Sequence, residues 1–423
     1  MHEQLNASAR EILETNDMGG FTVPTNGMYP YQWNWDSAFV ALGFATFNES
    51  RACEELETLF EAQWNDGFVP HIVFRQDDPD YFPGPSVWQA GQQLPTSGIS
   101  QPPVAASIIL ALWQRTTDSA IKERLTQLVP KVLDWHRWYQ RCRVPAGVNA
   151  VVITHPWESG RDNSPEWDAP AAAIDISGVK PYQRRDLQHA DANMRPTKDD
   201  YDRYLALIDY GRAVNWNHER IAASGPFRVA DVGITMMLVR AHRDLAVLAD
   251  EVGLHDASAE LAGYIAQLEA GVGYLWDPSE RTFCSRDVIT GRYSGYVTSA
   301  SFLYAYADVG EPSQRDAMAE HWHRIAERSP LMMPSLDPDA EAFDAMRYWR
   351  GPIWLVVNYM LAAGFREQGQ PTWAERIVAD SRKLISEFGF NEAYSPLTGT
   401  GTGGKLFSWS AAMWLAWCGR EVS

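Results

Sequence analysis

The chain has 423 residues, 45% of them hydrophobic and 21% charged, a globular composition that excludes low-complexity disorder, a collagen-like repeat and a disulfide-stapled miniprotein. Its 36 Lys and Arg stand against 54 Asp and Glu, and the resulting net charge of −18 argues against a nucleic-acid backbone or an anionic membrane surface as partner. A small anionic ligand stays compatible with this charge, provided that local Arg or Lys residues bind it.

Apolar residues recur at helical spacing along almost the whole chain. Strand signals are few, and the clearest lie at 148–154 and 282–285. We expect about twelve helices, near 3–15, 36–47, 50–63, 102–115, 118–142, 231–251, 256–272, 297–308, 312–327, 351–367, 371–388 and 407–419. Twelve helices pair into six hairpins, and six hairpins that close on themselves make an all-α (α/α)6 barrel. An irregular helical bundle and two helical domains are the alternatives.

The connections between the predicted helices alternate between short and long. The long ones are rich in Pro, Gly, Trp and Asp, and they lie at 64–101, 144–230, 273–296, 328–350 and 389–406. Long loops in a compact domain usually carry function, and alternating helices bring them to one face of a barrel, which is therefore the predicted site face. We expect one catalytic barrel domain over 1–423, in which 144–230 is an inserted lid or subdomain with a helix near 201–212.

The first motif with chemical content runs from Tyr29 to Phe39, where four aromatic residues precede Asp36 at the start of a predicted helix. Asp36 can cap the N-terminus of that helix. Dense aromatic rings beside a carboxylate also suit a sugar, because the rings stack on its apolar C–H face while the carboxylate accepts hydrogen bonds from two hydroxyl groups. Core packing and sugar stacking both stay open for the aromatic residues, which make up 12% of the chain.

The second motif runs from His155 to Pro165 and places two carboxyl residues, Glu158 and Asp162, beside Trp157. A carboxyl group against an indole in a dry pocket favours its neutral form. A neutral carboxyl is what a general acid needs in order to protonate a leaving glycosidic oxygen. The alternative for an aspartate in such a loop is turn formation.

The third motif runs from Phe388 to Trp409, and within it 399–405 fits the letters of a phosphate loop, GxxxxGK. We reject that interpretation because Leu406 follows Lys405, so no hydroxyl group is available for a magnesium ion. The glycines instead predict a loop that lies close to a ligand before the last helix.

Signals for metals, cofactors and membranes are lacking in the sequence. The four cysteines form no CxxC pair, the histidines form no HExxH pair, and no calcium-loop pattern follows Asp77, Asp78 and Asp80. The N-terminus has no basic and apolar leader, and no apolar run reaches about 18 residues. We therefore expect a cytoplasmic protein with no metal and no cofactor that binds a small molecule. The oligomeric state, including a homo-oligomer, stays open.

Four motifs in this order resemble glycoside hydrolase family 63, which is related to the trehalases: Trp35-Asp36-Ser37, Trp157 to Pro165, Tyr348 to Trp354, and Asn391 to Gly399. The resemblance spans nearly the whole chain. It implies an (α/α)6 barrel that hydrolyses α-glycosidic bonds with inversion. One departure is Ala393, where the family usually has an aromatic residue.

Two loop segments, 77–85 and 183–204, are similar to those of the small bacterial hydrolases of glucosylglycerate and mannosylglycerate. The resemblance implies that these segments cover a small acidic aglycone; a solvated loop is the alternative for the charges of 183–204. It also implies which residues hold the glycerate: Tyr29, Tyr81, Arg195, Tyr201 and Tyr348, with Gln101 as a weaker candidate.

An inverting hydrolase needs two carboxyl groups with a water molecule between the base and the anomeric carbon. We expect Asp162 to donate the proton and Glu392 to activate the water, with Glu158 as the second choice of acid. Asp36 would bind hydroxyl groups of the sugar, and Arg350 would either pair with one of the two carboxyls or be structural. The indoles expected around the sugar are Trp35, Trp157, Trp354 and Trp409.

The sequence therefore predicts an inverting exo-α-glycosidase for glucosylglycerate, mannosylglycerate or both. An α-glucosidase or trehalase-like hydrolase of neutral disaccharides is an alternative. A sugar epimerase or isomerase on the same barrel is an alternative from another class, although such enzymes use pairs of His as acid and base. The choice between glucose and mannose stays open.

Overall fold

The computed structural model describes residues 2–420, and the chain within that range is mainly helical. Its α-helices are α1 (His2–Thr15), α2 (Asn34–Phe44), α3 (Glu49–Glu61), α4 (Pro85–Trp88), α5 (Ala105–Arg115), α6 (Ser119–Arg143), α7 (Asp168–Ala171), α8 (Asp186–His189), α9 (Lys198–Ala213), α10 (His218–Ser224), α11 (Val232–Glu251), α12 (His255–Gly271), α13 (Pro312–Arg328), α14 (Leu355–Glu367), α15 (Pro371–Phe388) and α16 (Ser408–Met413). None of the helices in this range is long and apolar enough to cross a membrane.

Tighter or wider helical turns complete the set: 3₁₀ helices at Pro156–Ser159, Pro165–Trp167, Ala192–Met194, Val272–Leu275 and Ser299–Tyr304, and a π turn at Trp414–Cys418. The strands are short: β1 (Gln32–Trp33), β2 (Ile72–Val73), β3 (Val152–Ile153), β4 (Val229–Ala230), β5 (Trp276–Asp277), β6 (Thr282–Phe283), β7 (Arg286–Asp287), β8 (Asn391–Tyr394) and β9 (Gly401–Lys405). They pair antiparallel as β1–β2, β3–β4–β7, β5–β6 and β8–β9.

Six helical segments form a closed inner ring. In ring order they are α2, α5, α11, the 3₁₀ helix 299–304, α14 and α16, and α16 packs back onto α2. All residues of α2 are buried, as an inner position requires. The outer helices bury one face each and alternate with the inner ones along the chain: α1, α3, α6, α12, α13 and α15. The predicted (α/α)6 barrel is thereby confirmed, and the irregular bundle is excluded.

The long connections all enter inner helices at their N-terminal ends. They are 16–33, 62–104, 144–231, 272–298, 329–354 and 389–407, whereas the connections that leave the inner helices span only 45–48, 116–118, 252–254, 305–311 and 368–370. Because the inner helices run in the same direction around the ring, the long connections collect at one end of the barrel. The prediction of a single loop face is confirmed.

Helix α2 begins two residues earlier than the sequence pattern indicates, and this changes the position of Asp36. The backbone N–H of Asn34 donates to the carbonyl of His71 (3.0 Å), and that of Trp35 donates to the side-chain amide oxygen Oε1 of Gln101 (3.1 Å). These contacts satisfy N–H groups of the first turn, so Trp33 is the N-cap residue without a side-chain cap. The expectation that Asp36 caps the helix is wrong; its carboxyl group lies within the first turn.

The segment 144–230 contains α7 to α10 and packs on the connection 62–104. Its helix predicted near 201–212 is α9, which begins at a capping box formed by Thr197 and Asp200. A second hydrophobic cluster, separate from the barrel core, joins α9 and α10 to the residues around β1, β2 and α4: Tyr31, Trp33, Ile72, Phe74, Trp88, Trp157, Tyr201, Tyr204, Leu205, Ile208, Trp216 and Ile221 are among its members.

Candidate active site

A cavity opens at the loop end of the barrel. Four stretches just before the inner helices α2, α5, α14 and α16 supply its walls, together with the segment 144–230. All the predicted site residues except Arg350 and the alternative acid Glu158 line it: Tyr29, Trp35, Asp36, Tyr81, Gln101, Trp157, Asp162, Arg195, Tyr201, Tyr348, Trp354, Glu392 and Trp409. The fold thus brings together residues that lie more than 350 positions apart in the sequence, as the hydrogen bond between Tyr29 and Glu392 shows.

Four indoles form one wall of the cavity. The rings of Trp349 and Trp354 are stacked with centroids 3.9 Å apart, and Trp409 meets Trp354 edge to face at 5.6 Å. Trp35 meets Trp409 edge to face at 5.8 Å. Because each ring is held by its neighbours, the wall is rigid and largely apolar, which suits the C–H face of a sugar ring.

Glu392 lies on β8 and points its carboxylate into the cavity, where three groups approach it. The Tyr29 hydroxyl donates to Oε1 at 3.0 Å, and the backbone N–H of Gly404 donates to Oε2 at 2.8 Å. Nη1 of Arg195 lies 3.6 Å from Oε2. These contacts hold the carboxylate in a fixed position at the cavity wall.

Two glycines of the third motif, Gly403 and Gly404, lie against this carboxylate. They belong to β9, which pairs with β8 where the sequence pattern predicts a loop. Gly403 has a φ of +71°, and a Cβ at this position would lie 2.1 Å from Oε2 of Glu392. Glycine is therefore required here both by the backbone conformation and by the close approach of the carboxylate.

Gly403→Ala should displace the Glu392 carboxylate and lower kcat by at least about tenfold, since a shift of about 1 Å in a catalytic group has effects of that order or larger. Steady-state kinetics on a glycosylglycerate measures this. Gly253→Ala is the matched control, because Gly253 also has a positive φ (+80°) but a Cβ at its position would meet no atom within 4 Å. Equal activity losses in the two variants would contradict a specific contact with Glu392.

Asp162 also lines the cavity, and it lies in the segment 144–230 between the 3₁₀ helices 156–159 and 165–167. Burial raises the pKa of its carboxyl group to about 7, with Arg195 opposing the shift and Glu392 adding to it. Its backbone carbonyl accepts a hydrogen bond from the Tyr204 hydroxyl at 2.7 Å. A carboxyl with this pKa is available in its protonated form near neutral pH.

Glu158, the second choice of acid, does not line the cavity and is bound elsewhere. Its carboxylate pairs with Arg143 of α6 (Nη2–Oε1, 2.6 Å) and accepts from the backbone N–H of Thr154 at 2.7 Å. Burial acts to raise the pKa of Glu158, but Arg143 and Thr154 outweigh it and hold the pKa below its usual value. Glu158 is therefore a buried anion in an ion pair, and the prediction of Glu158 as an alternative acid is wrong.

Asp36 is only 5% exposed and lines the cavity with three other carboxyl residues, Asp162, Asp186 and Glu392. Burial raises its pKa well above the usual value, and the negative charge of Glu392 raises it further. A protonated Asp36 can donate one hydrogen bond and accept another, a combination that suits neighbouring hydroxyl groups of a sugar.

Arg195 enters the cavity from the segment 144–230. Its Nε donates to Asp186 at 2.9 Å, and its guanidinium lies over the ring of Tyr348 at 4.1 Å. Nη1 is buried and has no hydrogen-bond partner within the described part of the chain. A buried guanidinium nitrogen that lies 3.6 Å from Glu392 but makes no hydrogen bond with the described residues is free to donate one to a ligand carboxylate.

The three remaining tyrosines and Gln101 have distinct surroundings. Tyr201 donates to the carbonyl of Phe82 at 3.3 Å, which links α9 to the loop 77–85. Tyr81 in that loop lies edge to face against Tyr31, with centroids 5.1 Å apart. Tyr348 has a positive φ of 32°, an uncommon backbone conformation that is concentrated at functional sites. Gln101 holds the first turn of α2, as described above.

Arg350 lies outside the cavity, and its expected pairing with Glu392 or Asp162 is wrong. Its guanidinium forms a bidentate pair with Asp168, with Nη1–Oδ2 at 3.0 Å and Nη2–Oδ1 at 2.6 Å. The second possibility, a structural role, agrees with this contact between the segments 329–354 and 144–231.

The sequence motifs do not single out several of the lining residues: Trp33, His71, Asp186, Trp349 and Phe407. Trp33 and Trp349 lie inside two of the quoted motifs, and Asp186 lies in the segment 183–204. Their position in these stretches is the sequence signal by which they could have been found. His71 has none; burial lowers its pKa well below the usual value, so it is a neutral residue. Within residues 2–420 no cluster of His, Cys, Asp and Glu suits a metal ion.

The chain is similar to known proteins over almost its whole length. A family model described as the mannosylglycerate hydrolase MGH1-like glycoside hydrolase domain matches residues 29–410. A mannosylglycerate hydrolase of Thermus thermophilus is 44% identical over 413 residues, which cover 97% of this chain and 99% of that protein. A glucosylglycerate hydrolase of Mycolicibacterium hassiacum is 34% identical over 442 residues, which cover 98% of each chain.

A solved structure is similar over the same extent. The crystal structure of a glycoside hydrolase family 63 mannosylglycerate hydrolase from Thermus thermophilus, in complex with Tris and D-glycerate, matches with a TM-score of 0.94. The sequence identity is 43%, and the match covers 98% of this chain and 99% of that chain.

Proposed function

Because the chain belongs to glycoside hydrolase family 63, among the mannosylglycerate hydrolase MGH1-like enzymes, we propose that it hydrolyses the α-glycosidic bond of mannosylglycerate, glucosylglycerate or both, with inversion at the anomeric carbon. The observation that supports this most strongly is the pairing of two unlike carboxyl groups in one cavity. Asp162 has a raised pKa, whereas Glu392 is surrounded by donors and a positive charge.

In this proposal Asp162 protonates the glycosidic oxygen while Glu392 removes a proton from the attacking water. The C–O bond breaks as the water oxygen bonds to the anomeric carbon from the opposite face of the sugar, which inverts its configuration. The indole wall formed by Trp35, Trp349, Trp354 and Trp409 holds the sugar ring. Asp36 binds its hydroxyl groups.

The glycerate part of the substrate would lie between the barrel and the segment 144–230. Arg195 carries the positive charge for its carboxylate, and Tyr29, Tyr81, Tyr201 and Tyr348 surround it. The segment therefore serves as the lid of a single catalytic domain. Two contacts between the segment 144–230 and the loop 77–85 support this arrangement, namely Tyr201 with Phe82 and Arg185 with Asp78.

A neutral disaccharide is the second candidate substrate, as in trehalase-like enzymes. It would offer no carboxylate to Nη1 of Arg195, which is buried and makes no hydrogen bond within residues 2–420 although it lies 3.6 Å from Glu392. An epimerase is not supported, since among the described residues the cavity presents one histidine, the neutral His71, instead of a pair.

A substrate panel tests the proposal directly. The purified protein is incubated with mannosylglycerate, glucosylglycerate, trehalose and maltose, and free sugar and glycerate are quantified. We expect release from at least one glycosylglycerate at a kcat/KM far above that for the two neutral disaccharides. Release from trehalose or maltose alone would contradict the proposal.

The pH dependence follows from the pKa of Asp162. The group must be protonated to act as an acid, so kcat/KM should fall as the pH rises through about 7. We expect this descending limb of the pH profile when kcat/KM is measured with a glycosylglycerate from about pH 5 to about pH 9. On a glycosyl fluoride, which needs no proton on its leaving group, the limb should be absent. Constant kcat/KM over this range on the glycosylglycerate would rule out Asp162 as the acid with this pKa.

A further inference from the structure

Arg161 directly precedes Asp162 in the chain, yet its side chain does not line the cavity. It is 2% exposed, and its two terminal nitrogens form ion pairs with Glu166 and Asp231, whose side chains are completely buried. The distance from Nη2 to Oδ1 of Asp231 is 2.8 Å. The guanidinium also lies over the ring of Trp167 at 5.1 Å.

Both carboxylate partners are fixed to distant parts of the barrel. Oδ1 of Asp231 accepts a hydrogen bond from the backbone N–H of Ile234 at 3.0 Å, so Asp231 caps the inner helix α11. Oε1 of Glu166 accepts from the backbone N–H of Ser285 at 3.1 Å, between β6 and β7. Arg161 therefore connects the loop that carries Asp162 to the frame of the barrel.

The direction of the Asp162 carboxyl group depends on this loop. That carboxyl accepts a hydrogen bond from the backbone of Asp162 itself, and the loop is held by the side chains of Arg161 and Asn163 as well as by contacts to its backbone. The indole N–H of Trp167 donates to the carbonyl of Arg161 at 2.8 Å, and the N–H of Arg161 donates to Oγ of Ser159 at 2.9 Å. A change in the position of Arg161 would thus be transmitted to Asp162.

Stability alone gives a poor reason for a buried charged cluster here. Apolar side chains of similar volume are often at least as stabilising as a buried ion pair, because charges lose their hydration. The guanidinium fixes the orientation of the loop, because its planar fork binds two carboxylates in fixed geometry. We propose that Arg161 is a positioning residue, which holds Asp162 so that its proton meets the glycosidic oxygen. This inference rests on the proposed role of Asp162.

The test compares two leaving groups. Arg161→Gln should lower kcat on a glycosylglycerate by about 10- to 100-fold, the scale of a displaced catalytic group, with little change in KM. On the fluoride of the same sugar the loss should stay below about threefold, because fluoride leaves without a proton. Arg161→Lys, which keeps the charge but not the fork, should recover part of the lost kcat.

A second variant keeps the test informative if Arg161→Gln does not fold. Asp231→Asn retains a residue that caps helices well and weakens only the ion pair, so it should show the same dependence on the leaving group with a smaller loss. Arg51→Gln is the control: Arg51 is similarly buried and pairs with Glu55 on α3. It should lower the melting temperature and affect both substrates equally.

Equal losses on both substrates in Arg161→Gln and Asp231→Asn would overturn the inference, since they would indicate a general structural role. Asp162→Asn separates this failure from a failure of the proposed function. If the fluoride rescues Asp162→Asn but not the Arg161 variants, only the role of Arg161 is wrong. If the fluoride does not rescue Asp162→Asn, both proposals are overturned.

Discussion

Asp162→Asn and Glu392→Gln should each lower kcat on a glycosylglycerate by at least about a thousandfold while the fold stays intact. General acid and base catalysis contribute about 10²–10⁴ each, and an amide can neither donate the acidic proton nor remove one from water. Single-turnover and steady-state kinetics measure the loss, and circular dichroism verifies the fold.

The two variants should differ in their response to the leaving group. A glycosyl fluoride should restore activity to Asp162→Asn, because fluoride leaves without protonation, but not to Glu392→Gln, where the water still lacks its base. Asp168→Asn is the matched control, since Asp168 lies in the same segment, outside the cavity, and pairs with Arg350. It should retain near wild-type kcat. Near-normal turnover by either cavity variant would refute the assignment.

Arg195→Ala should cost about 2–4 kcal/mol in kcat/KM on a glycosylglycerate, the scale for removing one partner of a buried, charge-assisted contact. The net charge of the protein is −18 and the proposed substrate is an anion, so a local positive charge must overcome the repulsion. On an uncharged analogue such as glucosylglycerol the loss should be much smaller. The comparison of kcat/KM on the two substrates measures the contribution of the carboxylate.

The position of Arg195 beside Glu392 affects how the comparison is interpreted. Its Nη1 also lies 3.6 Å from Glu392, so part of any loss reports on that carboxylate and appears with both substrates. Arg350→Ala serves as the control, because Arg350 pairs with Asp168 outside the cavity and should affect both substrates little. Equal large losses of Arg195→Ala on both substrates would favour a neutral substrate and a supporting role for Arg195.

The architecture could be predicted from the sequence because its signals are local. Helical spacing marks each of the helices of the ring, and the alternation of short and long connections places the loop face. The pattern does not distinguish types of helix: it predicts an α-helix over 297–308, and the structure has the 3₁₀ helix 299–304 there. The hydrophobic spacing over so few residues is compatible with both.

The site residues could be predicted only where they belong to the sequence motifs. The wrong predictions concern contacts between segments that are distant in the sequence. Glu158 and Asp162 look alike in the sequence, but Arg143 of α6 lies beside one and not the other. Arg350 stands inside a motif, yet its partner Asp168 lies 182 residues away. The glycines near 403 predict a loop next to a ligand, whereas the nearest group is the Glu392 carboxylate. The roles of Asp162 and Glu392 themselves stay predictions.

The most direct measurement is the configuration of the sugar at the moment of its release. Proton NMR during hydrolysis of α-mannosylglycerate or α-glucosylglycerate follows the anomeric signals before the free sugar equilibrates. Direct attack by the water that Glu392 activates predicts that the β-anomer appears first, together with free glycerate. Initial formation of the α-anomer would contradict the account, because retention requires a covalent glycosyl-enzyme intermediate.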